Sequence, residues 1–176
     1  MIRSLPLAAA LSLASATPFI TAAAPPTPLG SDAAACEANK PAILATIAGM
    51  KDRTGTIRLE LYPATAEDFT RSDHELLAAG KTFRRVQVAS PASGPVSLCV
   101  RVPGPGRYAV LFIHDRDGQK KFDYRVDGAG IPSNKRIGFS KPKVDGAIVS
   151  VGDATLPVTI RAQYIGLFGF SPSSAR

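Results

Sequence analysis

The chain has 176 residues, of which 45% are hydrophobic and 20% charged, and its 21 Lys and Arg against 14 Asp and Glu give a formal charge of +7. This balance excludes a disordered or low-complexity polymer and fits one domain with a real core. The basic excess forms no long cationic run and no patch interleaved with aromatics, so a generally basic, solvated surface is the preferred reading of the charge.

The first 24 residues, MIRSLPLAAALSLASATPFITAAA, place Arg3 before an apolar run and then small residues, with A-x-A matches at 14–16 and 22–24. That is the layout of a secretory signal peptide, and its apolar core is shorter than the roughly 20 residues a bilayer span needs. The mature protein is expected in the periplasm or secreted, and not integral to a membrane. In that setting nucleic acid is not an expected partner; the partner is otherwise open, with anionic envelope polymers, lipid headgroups or another envelope protein as candidates.

Residues 25–41 are rich in Pro, Ala and Gly and read as a linker. The folded domain is expected over 42–166, with 167–176 as a loose tail. Seven segments have strand character: 42–48, 56–62, 84–88, 96–102, 107–114, 147–151 and 155–164. In TIRLELY (56–62), Ile57, Leu59 and Leu61 share one face and Arg58 and Glu60 the other. RYAVLFIH (107–114) is apolar on both faces, as a central strand should be. Pro157 marks the last segment as an edge or a strand start. Only DHELLAAG (73–80) reads as helical, with an acidic start and a Gly stop. Seven short strands with one helical turn predict an all-β fold, a seven-stranded antiparallel sandwich. The chain has two cysteines, Cys36 and Cys99. Export favours one disulfide between them; two buried free thiols are the alternative.

The stretch PGRYAVLFIHDRDGQKKFD, followed by GIPSNKRIGFS, resembles the domain-of-unknown-function 2141 family of exported bacterial proteins. The matching positions are Gly106, Tyr108, Ala109, His114, Asp115, Asp117, Asp123, Gly130, Ile131, Pro132, Gly138, Phe139 and Ser140. The resemblance covers most of residues 42–164. It implies a small transthyretin-like or prealbumin-like β-sandwich, similar to the regulatory domains appended to carboxypeptidases, and it implies no activity. On this basis Gly106, Gly130, Pro132 and Gly138 are structural positions. Tyr108 reads as a corner tyrosine whose hydroxyl pins a neighbouring turn. Family members more often carry Asn and Gly where this chain has Gln119 and Lys120.

The acidic stretch after His114 admits two readings. As a calcium loop it places Asp115, Asp117 and Asp123 at ligand positions. However, Lys120 stands where a Gly is needed for the turn, and Val126 where a bidentate Glu is needed. Four acids (Asp115, Asp117, Asp123, Asp127) are also balanced by four bases (Arg116, Lys120, Lys121, Arg125). The preferred reading is a loop held by Asp side chains bonded to turn amides, with no cofactor; calcium is the alternative. Catalysis lacks a nucleophile motif: no Gly-x-Ser-x-Gly surrounds Ser140, and His114 is expected to bond to loop backbone. A binding surface is expected around Phe139, Lys141, Lys135 and Arg136, with His114 as a further candidate, on the long loop 115–144. The favoured function is a non-catalytic binding or accessory module. An enzyme acting on envelope polymers is the alternative, and it would need a pocket gathering His114 with two or more acids.

Overall fold

The computed structural model describes residues 26–172. The expected leader, 1–24, and the last four residues lie outside the described residues. The elements are α1 (Ala33–Glu37), β1 (Ala42–Ala48), β2 (Thr56–Pro63), α2 (Asp73–Ala78), β3 (Arg84–Ala89), β4 (Val96–Arg101), β5 (Gly106–Asp115), β6 (Gly128–Gly130), β7 (Ile148–Val151), β8 (Thr155–Arg161), β9 (Gln163–Gly166) and β10 (Gly169–Pro172). A 3₁₀ turn at Val144–Gly146 precedes β7. The protein is an all-β sandwich. Among the described residues no helix is long and apolar enough to cross a membrane.

The smaller layer has the order β4-β1-β8. The larger has the order β10-β9-β6-β5-β2-β3, with β7 also paired to β5. Ile43, Ala45 and Ile47 of β1 and Val96, Leu98 and Val100 of β4 pack against Ile57, Leu59, Leu61, Val110 and Phe112 of the larger sheet. This inter-layer core follows from the alternation in β1, β2 and β4.

β5 is the centre of the larger sheet. On one side β2 pairs with it antiparallel, from Thr56 opposite Asp115 to Pro63 opposite Tyr108. On the other side β7 takes its first half and β6 its second. Its opposite face, carrying Ala109, Leu111 and Ile113, packs into a second cluster with Tyr62, Phe69, Leu76, Ile131 and Ala147. The larger sheet is therefore covered on both faces, which is why RYAVLFIH lacks a polar side.

Four expectations need correction. The last expected strand is two strands: β8 ends at Arg161 in the smaller sheet and β9 begins at Gln163 in the larger one. Between them Ala162 is wholly buried, and its amide donates to Ala48 O at 2.9 Å. The sandwich is not purely antiparallel, because β8 runs parallel to β1, from Thr155 opposite Ala42 to Arg161 opposite Ala48. Pro157 does sit on an edge strand. The expected linker is partly structured. Leu29 bridges to Leu98, Asp32 pairs with Arg84 and accepts from the Arg101 amide at 3.0 Å, and α1 is joined to β4 by the Cys36–Cys99 disulfide. Finally, β6 and β10 are strands where loop and tail were expected. β6 is Gly-Ala-Gly, with no strand propensity of its own. A Cβ on Gly130 would lie 2.6 Å from Ile160 Cγ2 and 2.7 Å from Arg161 O, so close packing and not conformational preference calls for glycine there.

Candidate functional site

The outer face of the larger sheet carries a concavity. Its base begins with the set in β2 that alternation assigned to solvent. Arg58, Glu60 and Tyr62 are in fact buried. Glu60 stands directly opposite Arg85 in β3, whose Nε donates to Glu60 Oε1 at 2.7 Å. The Tyr62 hydroxyl donates to Glu60 Oε2 at 2.6 Å, and Arg58 Nε lies 3.4 Å from Oε1. Burial, then the adjacent Glu60 charge, pushes the Tyr62 hydroxyl well up, so it stays protonated and donating. Arg85 also reaches Asp73 at the start of α2 at 2.8 Å. Arg58 continues to Asp115 Oδ2 at 3.4 Å and donates to Lys120 O at 3.1 Å. Each buried charge thus has an opposite partner, without which it would not be tolerated there.

Over this base lies a groove of about 610 Å³. Leu111 and Ile113 of β5 and Ala129 of β6 line it together with Glu60 and Tyr62. Ile165 and Phe170 contribute from the β9–β10 hairpin, and Phe122 and Tyr124 from the loop after β5. Ile137, Phe139, Ser140, Lys141 and Pro142 come from the loop after β6, and Thr70 from the segment before α2. Thr70 has φ +66°, an uncommon conformation for a β-branched residue.

The loop after β6 is held by side chains from β9 and from the loop itself. Gln163 is wholly buried; its Oε1 accepts from the Ile137 amide at 3.0 Å and its Nε2 donates to Lys135 O at 2.8 Å. Asn134 accepts from the Arg161 amide at 2.6 Å and donates to Thr159 O at 2.9 Å. The loop is therefore tied to β8 and β9 where it passes the groove.

Of the expected binding residues, Phe139 and Lys141 line the groove. Lys135 and Arg136 are exposed outside it, with the Arg136 guanidinium 5.6 Å from the centre of the Phe168 ring. His114 does not face a ligand, because it is fully buried on the opposite face of β5. Its Nε2 lies 2.8 Å from Thr54 O and its Nδ1 2.7 Å from the Tyr164 hydroxyl. A carbonyl only accepts, so Nε2 carries the proton and Nδ1 accepts from Tyr164, whose oxygen in turn accepts from the Lys51 amide at 3.0 Å. Burial lowers the His114 pKa, against the opposing pull of the Thr54 bond and Asp52. The ring is neutral and both nitrogens are engaged.

The acidic stretch is largely a set of turn bonds. Asp115 accepts from the amides of Gly118 at 2.8 Å and Lys120 at 3.1 Å. Asp117 accepts from Gln119, and Asp127 from Arg116 and Asp123, at 2.9–3.0 Å. Lys120 adopts φ +64°, the left-handed turn that its side chain argued against. Asp115, Asp117 and Asp127 bring one oxygen each to within 4.8 Å of one another. Asp123, the third expected ligand, is not in that group; its Oδ1 accepts from the Arg125 amide. Tyr108 donates to Gly104 O at 2.8 Å at the turn before β5. Gly106 opens β5, Pro132 follows β6, and Gly138 exchanges two backbone bonds with Phe170.

Glu60, Tyr62, Leu111, Ile113, Ile165 and Phe170 were missed as groove residues. The available signal was the two-sided apolar character of 107–114, which requires a cover on both faces of the sheet.

Neither the curated proteins nor the solved structures contain a match to this chain. The family model described as "uncharacterized protein conserved in bacteria (DUF2141)" matches residues 45–159, from within β1 to within β8. That span includes strands of both layers, the acidic turn and the loop over the groove, stopping before β9 and β10, and the chain belongs to this family.

Proposed function

We propose that the protein is an exported, non-catalytic binding module of the cell envelope whose ligand lies in the groove over the larger sheet. The observation that carries this reading is the groove itself: about 610 Å³, lined mainly by aliphatic and aromatic side chains from five strands and two loops, with Lys141 among them. Its size and chemistry are those of a small-molecule pocket, apolar with a few polar groups. The best-fitting ligand has an apolar body and one anionic end that meets Lys141. The strained Thr70 backbone beside the groove supports the same assignment. A binding role is further supported by the pairing of Glu60 with Arg85 and Tyr62, and by the position of His114 on the other face of the sheet.

The test is an equilibrium titration with a fluorescent acyl carboxylate. The expected result is saturable binding that Ala129→Leu, which fills the groove from its base, weakens at least about tenfold (some 1.4 kcal/mol) without loss of the fold. Equal binding by the variant overturns the assignment.

A calcium-dependent form of the module has one observation in its favour, the three oxygens of Asp115, Asp117 and Asp127 within 4.8 Å. Against it stand the turn amides and Arg58 that already engage Asp115. A thermal melt with and without EDTA separates the two, since a bound ion raises Tm by mass action. The favoured reading expects no shift.

A further inference from the structure

Beside the groove is an apolar feature that protrudes. β9 and β10 form a hairpin whose turn carries Leu167 and Phe168, 93% and 70% exposed. The loop after β6 runs alongside and presents Phe139, 77% exposed. The two are locked together. Gly138 and Phe170 exchange backbone bonds of 3.0 and 2.7 Å, and Arg136 stacks over Phe168. A Cβ on Gly169 would lie 2.4 Å from the Gly138 carbonyl carbon, so backbone meets backbone and the tip is held in one place. Leaving these side chains in water has a hydrophobic cost.

The two segments that form the tip carry charge of one sign. Residues 128–144 contain Lys135, Arg136, Lys141 and Lys143 and no acid, and residues 162–172 contain no charged side chain. On either side of the loop the nearest acids are Asp127, buried and bonded to two amides, and Asp145 in the 3₁₀ turn.

We propose that this tip and its basic flank dock on an anionic lipid bilayer. Leu167, Phe168 and Phe139 enter the boundary between headgroups and acyl chains, and Lys135 and Arg136 meet lipid phosphates. A protruding apolar turn with a basic flank suits a soft, negatively charged surface. A protein partner would instead have to offer an apolar socket rimmed with acids. The contact is peripheral, and it does not depend on what fills the groove.

The chain contains no Trp, so Phe168→Trp installs a single local reporter whose emission is indifferent to what the apolar leader touches. The full-length variant is titrated with vesicles of phosphatidylcholine, with and without phosphatidylglycerol. The expected result is a blue shift, and quenching by acyl-brominated lipid, only when phosphatidylglycerol is present. Adding Lys135→Gln and Arg136→Gln together raises the lipid concentration for half-maximal shift about 25-fold, at roughly fivefold per base. Leu167→Ser raises it about tenfold. Adding Ala129→Leu leaves the signal unchanged, which keeps this test separate from that of the groove. Unshifted emission with both vesicle types overturns the proposal. So does an equal response to neutral vesicles, or a shift produced by lipid-free envelope protein and not by vesicles.

Discussion

His114 is bonded at both nitrogens inside the sandwich, and its role there is to join the turn at Lys51–Thr54 to Tyr164 of β9. Its folded pKa lies below the ordinary 6.5, so under mild acid the unfolded chain binds a proton that the folded chain does not. Stability is therefore fully present above about pH 6.5 and is lost as pH falls from there towards the depressed folded value. Tm is expected to fall between about pH 7 and pH 5.5, and His114→Gln should remove that slope while lowering Tm throughout. The pairs of Asp32 with Arg84 and Asp52 with Arg116 act in a different window. In both acids burial is outweighed by bonds to the guanidinium and to neighbouring groups, so their contribution is lost only below about pH 3.8. Lys120 is a second residue with a clear expectation. It holds φ +64° while its amide and carbonyl bind Asp115 and Arg58. Lys120→Gly keeps both bonds and relieves roughly 1 kcal/mol of backbone strain, so chemical denaturation should show a small gain. The sequence pointed to His114 bonding with loop backbone, and Thr54 O is that partner. It did not reveal Tyr164, fifty residues away and on a strand of its own.

At the scale of elements, alternation was readable wherever a strand has one buried and one polar face, and misleading wherever the polar face is itself covered. β1, β4 and β5 were located by their apolar residues. β2 was located too, but Arg58 and Glu60 were assigned to solvent because paired buried charges look in sequence like exposed ones. β6 was invisible, since two of its three residues are glycines required by Tyr164 of β9 and by Ile160 of β8 in the facing layer. Gly130→Ala is accordingly expected to cost about 1–3 kcal/mol by overpacking, measured by denaturant unfolding. α1 was hidden in an Ala-rich stretch whose order comes from the disulfide and from Asp32. Reducing Cys36–Cys99, which spans 63 residues, removes about 4 kcal/mol in the chain-entropy model. Cys36→Ser with Cys99→Ser should show a loss of that order in urea, with the β-sheet spectrum retained below the transition.

For the whole molecule, the two-layer β architecture and the family were both within reach of the sequence, because strand periodicity and a dense motif at 104–140 are local signals. The likeness to transthyretin rests on the family resemblance alone. The groove was out of reach: it exists only when five strands, the loops after β5 and β6 and the segment before α2 meet. What sequence reasoning did locate was the loop after β6, through Phe139 and Lys141. The central claim is that this groove receives an apolar ligand with an anionic end. The most direct test is amide chemical-shift mapping with an alkyl phosphate below its micelle concentration. The account predicts shifts that cluster at Leu111, Ile113, Ala129, Lys141, Ile165 and Phe170. It is contradicted if those amides stay in place, or if the shifts gather instead at the smaller cleft between Lys81–Arg84 and Arg101–Pro103.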